Sequence, residues 1–506
     1  MVDRDCDAEV AIVGFGPVGN VLAILLAQLD RTVLVLERWV EPYPLPRAVH
    51  FDDEVGRILQ SCGIGAALRS IIEPADVYEW RNATGATLLR FGRAGDGLSG
   101  WPVSSMFNQP ALEAILQERA SALPNIEIRR GVDVIALEPS DDAITLQGAD
   151  GSEARARYVI GCDGANSAVR SLVALPTRDL GYFYDWLIVD VVLDQPRQFH
   201  PLNLQICDPV RPSTVVSGGP GRRRWEFMRL PHETLDELND EQRAWELLAP
   251  WDVHPGNARL ERHAVYTFNA RYAECWRAGR VLLAGDAAHL MPPFAGQGMC
   301  AGVRDAANLA WKLDRVLDGS SPDSLLDTYQ QERLPSVTAT IDFSMELGKV
   351  ICVSDPEEAA ARDETLSAAI GPEPSEVPPL PGIAQGIVHP SAPHAGELLA
   401  QGNLDGRPFD DLFGVGWRLI TVDAADHALD IVGLDWFESM GGRLVVHDHS
   451  DAVLGRWFTQ RSVTWALQRP DFHLYGTAAS VEEASVLLAA LRARLSVNYP
   501  DQGAPE

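Results

Sequence analysis

Residues 9–37 read EVAIVGFGPVGNVLAILLAQLDRTVLVLE, and this stretch decides the fold. The apolar run Glu9–Val13 predicts a strand, Val21–Leu29 a helix and Thr32–Leu36 a second strand. A Gly-x-Gly-x-x-Gly turn separates the first strand from the helix. A strand, a glycine-rich turn, a helix and another strand are typical of a Rossmann-like unit, so we predict an α/β fold.

The glycine-rich turn predicts a dinucleotide site. Gly14 permits the tight turn, Gly16 lets a pyrophosphate approach the backbone, and Gly19 lets the helix pack on the strand. Pro17 lies within this turn and is a further predicted cofactor residue, and the helix that follows points its free N–H groups towards the phosphates. Glu37 ends the second strand, where it accepts hydrogen bonds from a ribose. This pattern alone does not separate NAD from FAD.

Two later motifs place a carboxylate where a strand enters glycine-rich backbone. The run Tyr158–Ile160 leads into Asp163-Gly164, and Val281–Ala284 leads into Gly285-Asp286. Each carboxylate is suited to accept hydrogen bonds from hydroxyl groups. A glycine-rich turn that feeds a helix also supplies backbone N–H groups near a developing anion.

Composition excludes several classes of protein. The 506 residues are 46% hydrophobic and 22% charged, which is typical of a globular protein with several domains. The net charge of −29 argues against a nucleic-acid partner. The longest early apolar run is too short to span a membrane and no signal-peptide pattern is present, so we expect a cytoplasmic location. The seven cysteines never form a CxxC pair, so no metal site is expected.

The three motifs, in this order, resemble the fingerprints of the single-component FAD-dependent aromatic hydroxylases, which share the para-hydroxybenzoate hydroxylase fold. They are Gly14–Gly19, Asp163-Gly164 and Gly285-Asp286. The resemblance implies FAD as cofactor and O₂ as co-substrate, with a FAD C4a-hydroperoxide as the hydroxylating species. It also implies NADH or NADPH as a transient reductant, which agrees with the lack of a second Gly-x-Gly-x-x-Gly.

Within this family the sequence is most similar to the 3-(3-hydroxyphenyl)propionate hydroxylases. The similar segments are Tyr43–Glu54, Gln205–Pro209 with Arg211-Pro212, and Gly221–Phe227. This similarity implies hydroxylation of a meta-substituted phenol, such as 3-(3-hydroxyphenyl)propionate, ortho to its existing hydroxyl group. Related branches act on resorcinol, chlorophenols and aromatic polyketides, so a tailoring hydroxylase of a larger phenol remains an alternative. A third alternative is a protein without redox activity, in which FAD has only a structural role.

The resemblance also implies roles for residues that contact FAD. Arg38 would lie along the adenosine and Arg47 would reach the pyrophosphate. Gln109, at the start of a predicted helix 109–122, would touch the ribityl chain, and Asp286 would hold its hydroxyl groups. Asp163 is a further predicted cofactor residue.

The predicted catalytic residues are His50 and Pro293. Pro293, Gly298 and Met299 would lie against the isoalloxazine. The chemistry needs a base near the phenol, and His50 is the candidate, although a histidine that only packs on the flavin is the alternative. Residues 222–224 are three arginines. They either form a solvated strand edge with one inward arginine, or one of them contacts a substrate carboxylate. The aromatics at 182, 184 and 186 either line the substrate or belong to the core.

The domain prediction follows the motifs. Segments 1–75, 108–177 and 276–370 should form the FAD-binding domain, and 76–107 with 178–275 a substrate-binding sheet inserted into it. A Pro/Ser/Gly-rich linker at 371–394 leads to a C-terminal domain at 395–506. Predicted strands at 412–422, 428–432 and 443–447 and a helix at 481–495 make this domain resemble thioredoxin. It has no cysteine, so we expect a role in packing or in a homodimer rather than dithiol exchange.

Overall fold

Four β-sheets of three or more strands organise the part of the chain that the structure describes. The structure is a computed structural model, and it describes residues 6–371, 373–375, 379–422, 431–447 and 451–496. The predicted α/β class, with a Rossmann-like unit, is confirmed by the sheets and the helices between them.

The first sheet brings the three sequence motifs together. Its central strands are parallel, with Val13 in register with Gly161 and Leu36, and Gly161 in register with Leu283. Four carboxyl-terminal strand ends therefore meet at one edge, where ligands bind in open α/β sheets. The strands, in spatial order, are Arg277–Ala278, Val281–Leu283, Glu153–Gly161, Ala8–Val13, Val33–Glu37 and Ile126–Arg130, with Val134–Pro139 and Ile144–Gly148 attached beside Glu153–Gly161.

Two glycines of the first motif allow close backbone approaches at this edge. Gly14 has φ +100°, and a Cβ there would lie 2.5 Å from the carbonyl oxygen of Cys162. A Cβ on Gly19 would lie 2.1 Å from the carbonyl oxygen of Gly14. The turn and the helix therefore fit only without side chains at these positions, as the sequence predicts.

The helix that follows the first motif packs against two other helices. It spans Pro17–Gln28 and contacts Gln109–Ser121 and Gly298–Leu317. No helix in the described ranges is long and apolar enough to cross a bilayer. The remaining α-helices are Asp53–Leu59, Gly65–Arg69, Ala168–Leu172, Leu235–Leu238, Glu241–Leu248, Asp327–Ile351, Pro356–Ala369, Phe409–Phe413, Leu434–Ser439, Ala452–Arg461 and Val481–Leu495.

The second sheet has two chemically different faces. One face packs Trp225, Phe227 and Leu187 into a separate apolar core. The opposite face turns towards the motif edge of the first sheet and carries the polar residues described below. Its strands, in spatial order, are His289–Leu290, Ala258–Ala273, Thr177–Leu193, Arg222–Met228, Ser213–Ser217, Asn203–Cys207, Val77–Asn82 and Thr87–Gly92.

A small third sheet lies beside them. It consists of His50–Asp52, Ser104–Phe107 and Ile72–Pro74, and its register pairs His50 with Met106. The predicted insert thus supplies strands to the second and third sheets, and the short strand at 289–290 joins the second sheet from outside it. The division of the chain into domains stays a prediction.

The C-terminal sheet has the strand order of the thioredoxin fold. Its order is Arg443–Val446, Arg418–Thr421, Trp465–Gln468 and Leu474–Ala478, with the first pair parallel and the others antiparallel.

Two tail elements match the predictions, a third matches only in its second half, and a fourth falls mostly outside the described residues. The helix predicted at 481–495 and the strand at 443–447 are found. The strand predicted at 412–422 is wrong at its start, because Phe409–Phe413 is helical and glycines at positive φ interrupt the chain before Arg418. Of the strand predicted at 428–432, residues 428–430 lie outside the described residues.

The predicted linker packs against the body of the protein in its described part. Ile383, Ile387 and Val388 are buried, and the Ile387 N–H donates to the Glu332 carboxylate at 2.6 Å. The described part of this segment therefore packs on the rest of the protein and is not a flexible connection.

Buried ion pairs join the C-terminal sheet to the rest of the protein. Arg57 donates to both Asp410 carboxylate oxygens at 2.6 and 3.0 Å, and Arg418 donates to Asp410 at 2.6 Å. Burial opposes this charge, but the two guanidinium groups hold the pKa of Asp410 at about 2. Glu332 makes a similar buried contact with Arg469 at 2.6 Å.

Replacing Asp410 should weaken this junction. Asp410→Asn leaves Arg57 and Arg418 buried without their anion, so we expect a loss of about 3–5 kcal/mol in unfolding free energy, measured by chemical denaturation of the flavin-loaded protein. Asp405→Asn, at an exposed turn of the same region, is the matched control and should change stability by less than about 0.5 kcal/mol. Equal stability of the two variants would contradict this account of the junction.

Candidate active site

The motif edge of the first sheet opens into two joined cavities. The outer cleft has a volume of about 240 Å³ and the central cavity about 330 Å³. They share four lining residues, Gly16, Arg47, Cys162 and Gly164. Together they form one elongated site, as an extended dinucleotide requires.

In the outer cleft, backbone hydrogen bonds fix Glu37. Its carboxylate accepts from the Phe15 N–H at 2.8 Å and from the Trp39 N–H at 2.9 Å. Arg38 lies beside it, with its guanidinium 5.2 Å from the Trp39 ring. Both Glu37 and Arg38 line the cleft, where the sequence predicts the adenosine half of the cofactor.

The junction of the two cavities is suited to an anion. The helix Pro17–Gln28 begins there, and Arg47 is 45% exposed. The nearest atom to a Cβ built on Gly16 would be Nη2 of Arg47, at 3.7 Å. A pyrophosphate binds well to backbone without side chains, to a helix N-terminus and to a partly exposed guanidinium, and all three are present here.

Asp163 lines the outer cleft, and Asp286 lines the central cavity. Oδ2 of Asp163 accepts from the Val169 N–H at 3.1 Å. Its Oδ1 is buried and has no hydrogen-bond partner in the described part of the chain. Asp286 lies in the short helical turn Gly285–Ala287 and is exposed to the central cavity. Both carboxylates therefore retain acceptor capacity for cofactor hydroxyl groups.

A buried aspartate supports the turn that carries Asp286. Asp305 accepts from the Gly285 N–H at 3.1 Å and lies 2.6 Å from Nε2 of His289. Arg333 donates to its other oxygen at 2.9 Å. The sequence did not reveal this positioning role, because Asp305 lies 19 residues from Asp286 within a long helix.

The floor of the central cavity consists of a proline-rich turn and a helix start. Pro293 begins a short helical turn that ends before Gly296, and the helix Gly298–Leu317 starts directly afterwards. Pro293, Gly298 and Met299 all line the cavity, where the resemblance predicts the isoalloxazine. The N–H groups at this helix start would stabilise negative charge that develops on a ligand in the cavity.

Gln109 also lines the central cavity, but its amide already has partners. Its oxygen accepts from the Ala48 N–H at 2.6 Å, and its nitrogen donates to Glu113 at 2.6 Å. Asn108 caps this helix by accepting from the Ala111 N–H at 3.2 Å. A contact with the ribityl chain stays a prediction and would use the second amide hydrogen.

The residues present therefore fit FAD. Every cofactor residue expected from the sequence lines one of the two joined cavities, except Gly19, which is buried beneath the turn. The unpartnered Oδ1 of Asp163 and the open backbone at Gly16 support the same conclusion.

His50 lies at the inner end of the central cavity. Its Nδ1 is 3.3 Å from the carbonyl oxygen of Gly296, and its buried Nε2 has no partner among the described residues. Burial, together with Arg93, lowers the pKa of His50 to about 4. The ring is therefore neutral at pH 7, with Nδ1 donating to Gly296 and the Nε2 lone pair free.

The polar face of the second sheet forms the opposite wall. Most of its groups bond to one another: Thr214 and Tyr78 both donate to the Gln205 side-chain oxygen, at 2.8 and 3.3 Å. The wall residues from this sheet are Tyr78, Asn203, Gln205, Thr214, Val216, Arg224 and Glu226.

The expectation of a solvated strand edge at residues 222–224 is wrong. This strand lies between two others, and only Arg222 is partly exposed, where it pairs with Glu261 at 3.3 Å. Arg223 packs 4.2 Å from the Phe199 ring. Arg224 lines the cavity but donates to Asp190 at 2.7 and 3.0 Å, so its guanidinium is already paired.

Two charged groups in the wall do not have strong internal partners. The side chain of Arg93 makes no hydrogen bond or ion pair within the described ranges, and its guanidinium lies 5.4 Å from the Tyr78 ring. Glu226 has only a long contact of 3.8 Å, from Oε1 to Nη1 of Arg224. The sequence missed both residues, because no motif surrounds Arg93 and Glu226 follows three arginines.

The aromatics at 182, 184 and 186 belong to the core. Tyr182 and Trp186 are buried against Phe294, at ring distances of 6.5 and 5.7 Å. Neither these residues nor Tyr184 lines the central cavity.

Comparisons with known proteins agree with this site. The family model of the FAD binding domain matches residues 7–344. The chain is 37% identical to a probable NADH-specific resorcinol 4-hydroxylase from Rhodococcus jostii (strain RHA1), over 96% of this chain and 95% of the relative. It is 33% identical to a 3-(3-hydroxy-phenyl)propionate/3-hydroxycinnamic acid hydroxylase from Mycobacterium sp. (strain JLS), over 96% of this chain and 92% of the relative.

A solved structure has the same fold over nearly the whole chain. The flavin-dependent monooxygenase PieE, crystallised with FAD and substrate, aligns with a TM-score of 0.80 at 21% identity and covers 97% of this chain and 100% of its own. The chain belongs to the FAD binding domain family as a FAD-dependent aromatic hydroxylase. FAD is its cofactor, and NADH or NADPH supplies its electrons.

Replacing Asp286 should weaken FAD binding. Asp286→Asn keeps the shape but loses a charged acceptor for hydroxyl groups, so we expect a Kd for FAD at least about tenfold higher, measured by flavin fluorescence titration. Asp141→Asn, an exposed aspartate in a distant turn, is the matched control and should bind FAD like the wild type. An unchanged Kd in Asp286→Asn would show that this carboxylate does not contact the cofactor.

Proposed function

We propose that this hydroxylase acts on a single-ring phenol with an anionic side chain meta to its hydroxyl group. The new hydroxyl group is added ortho to the existing one, as on 3-(3-hydroxyphenyl)propionate. The observation that carries this proposal is Arg93, an unpaired guanidinium on the wall of the central cavity. A carboxylate is the natural partner of such a group.

The electrostatics of the wall support an anionic ligand at this point. Burial lowers the pKa of Arg93, although the guanidinium remains protonated at neutral pH. Asp52 is a nearby anion, but its carboxylate already accepts from Arg304 at 2.6 Å and from Gln297 at 2.9 Å. A substrate carboxylate would therefore supply the negative charge that the Arg93 guanidinium lacks as a partner.

The protein's own residues have three tasks in this reaction. Bound FAD supplies electron transfer from NADH and the activation of O₂. The Pro293 turn and the start of the Gly298–Leu317 helix would hold and orient the flavin ring. The wall of the second sheet and Arg93 hold the phenol against it, and the apolar Met106 and Phe294 help to exclude water.

Resorcinol is a second candidate substrate, because the relative from Rhodococcus jostii is named as a resorcinol hydroxylase and is 37% identical. Its second hydroxyl group is also meta to the first and would accept a hydrogen bond from Arg93. It lacks a carboxylate, so it would depend less on the charge of this residue.

A larger phenol is favoured by one further observation. A side cavity of about 540 Å³ adjoins the central cavity, and His50, Tyr78, Arg93, Phe294 and Ala295 line both. A polycyclic substrate would extend from the flavin into this space.

A substrate panel tests the proposal. NADH oxidation, hydroxylated product and peroxide are measured with 3-(3-hydroxyphenyl)propionate, resorcinol and a tricyclic phenol. We expect one product per NADH with the propionate. Peroxide without product on the propionate, with coupled turnover of either other phenol, would contradict the proposed substrate class.

Arg93→Gln should separate the two small substrates. Loss of a charged hydrogen bond should raise KM for the propionate at least about tenfold, and KM for resorcinol should change much less. Arg90→Gln, on the strand Thr87–Gly92 that directly precedes Arg93 and 43% exposed, is the matched control and should leave both KM values unchanged. An unchanged KM for the propionate in Arg93→Gln would refute the anchoring role.

A further inference from the structure

Glu226 faces the central cavity because of strand alternation. On the strand Arg222–Met228, Trp225 and Phe227 enter the apolar core, so Arg224 and Glu226 point to the other side. In the register of the sheet, Glu226 lies opposite Thr214 on one neighbouring strand. Its side chain is 12% exposed, and this exposure is towards the cavity.

The other polar groups of the wall bond to one another, whereas the Glu226 carboxylate accepts no hydrogen bond from them. Thr214 and Tyr78 use their hydroxyl hydrogens on Gln205, and the Gln205 amide donates to the Ser213 carbonyl oxygen at 2.9 Å. No donor within the described ranges forms a hydrogen bond to the Glu226 carboxylate. A substrate hydroxyl group in the cavity would therefore find an unoccupied carboxylate there.

Burial and the charged groups around Glu226 together place the pKa of its carboxyl near 7. The groups that face it are Arg224 on its own strand, Asp190 and Arg262 on the strands beyond, and Tyr78 across the wall. Burial raises the pKa of Glu226 to about 7, Asp190 adds to the rise, and Arg224 and Arg262 oppose it. A base with a pKa near the working pH is the most effective for proton transfer.

His50 is less suited to the same task. Its pKa of about 4 makes its conjugate acid a much stronger acid than a phenol, whose pKa is about 10. Its free Nε2 is nonetheless able to accept a hydrogen bond and so to position the ring.

We propose that Glu226 is the catalytic base of the hydroxylation, an inference that rests on the proposed function. The phenol O–H bond breaks, the proton moves to a Glu226 carboxylate oxygen, and the electron pair stays on the substrate oxygen. This pair activates the ortho carbon for attack on the oxygen atom that the flavin chemistry delivers. When the ring regains aromaticity, its ortho hydrogen passes to water as a proton, which balances the proton that the oxygen donor takes up, and Glu226 returns its own proton to the substrate oxygen.

Glu226→Gln tests this role, because it keeps the size of the side chain and removes its basicity. In the wild type we expect the rate of product formation to rise with pH through about 7, where the carboxylate loses its proton. The variant should form product at least about 100-fold more slowly at pH 7. It should also lose this inflection and depend instead on ionisation of the phenol itself.

A further readout separates catalysis from structure. A ring-fluorinated substrate, with a more acidic hydroxyl group, should recover product formation in the variant. Glu261→Gln, a carboxylate of the same sheet outside the cavity, is the control and should match the wild type.

Each outcome is distinct. Wild-type rate and inflection in Glu226→Gln would overturn the inference, as would loss of the inflection in His50→Gln alone. A variant that binds FAD but is not rescued by the acidic substrate would also overturn it, because the carboxylate would then have a structural role. A wild type that hydroxylates none of the phenols would refute the proposed function instead.

Discussion

The parallel pairing of four strands in the first sheet is the constraint on which the site depends. Val13, Leu36, Gly161 and Leu283 lie in register, so the residues that follow each strand meet at one edge. The approach of Gly14 to the Cys162 carbonyl then closes the turn against the neighbouring strand. Three motifs that are more than a hundred residues apart in the sequence thereby line one continuous site.

The second sheet supplies what the first lacks. Its apolar face has a core of its own, which leaves the polar face free to form a cavity wall. Most groups on this wall bond to one another and hold its shape. Around the cavity, the described side chains of Arg93, Glu226 and His50 present a guanidinium, a carboxyl and an imidazole nitrogen that have no hydrogen-bond partner. A phenol with an anionic substituent would use the guanidinium as an anchor, the carboxyl as a base and the imidazole nitrogen as a hydrogen-bond acceptor.

The sequence was sufficient for those parts of the site that depend on local backbone chemistry. The turn at Gly14, the strand-end carboxylate Asp286 and the helix start at Gly298 are readable, because each motif has fixed spacing and a fixed physical task. Arg93 and Glu226 were not readable, since their importance comes from partners that they lack in the folded state. The same limit explains the run at 222–224: sequence does not show that its strand is central, so that Arg224 pairs with Asp190.

The most direct measurement is a crystal structure of the enzyme with FAD and 3-(3-hydroxyphenyl)propionate. The account predicts the isoalloxazine against Pro293 and Met299, the phenol hydroxyl group within hydrogen-bond distance of Glu226, and the carboxylate on Arg93. A substrate bound in the side cavity, or with its carboxylate away from Arg93 and its hydroxyl group away from Glu226, would contradict it.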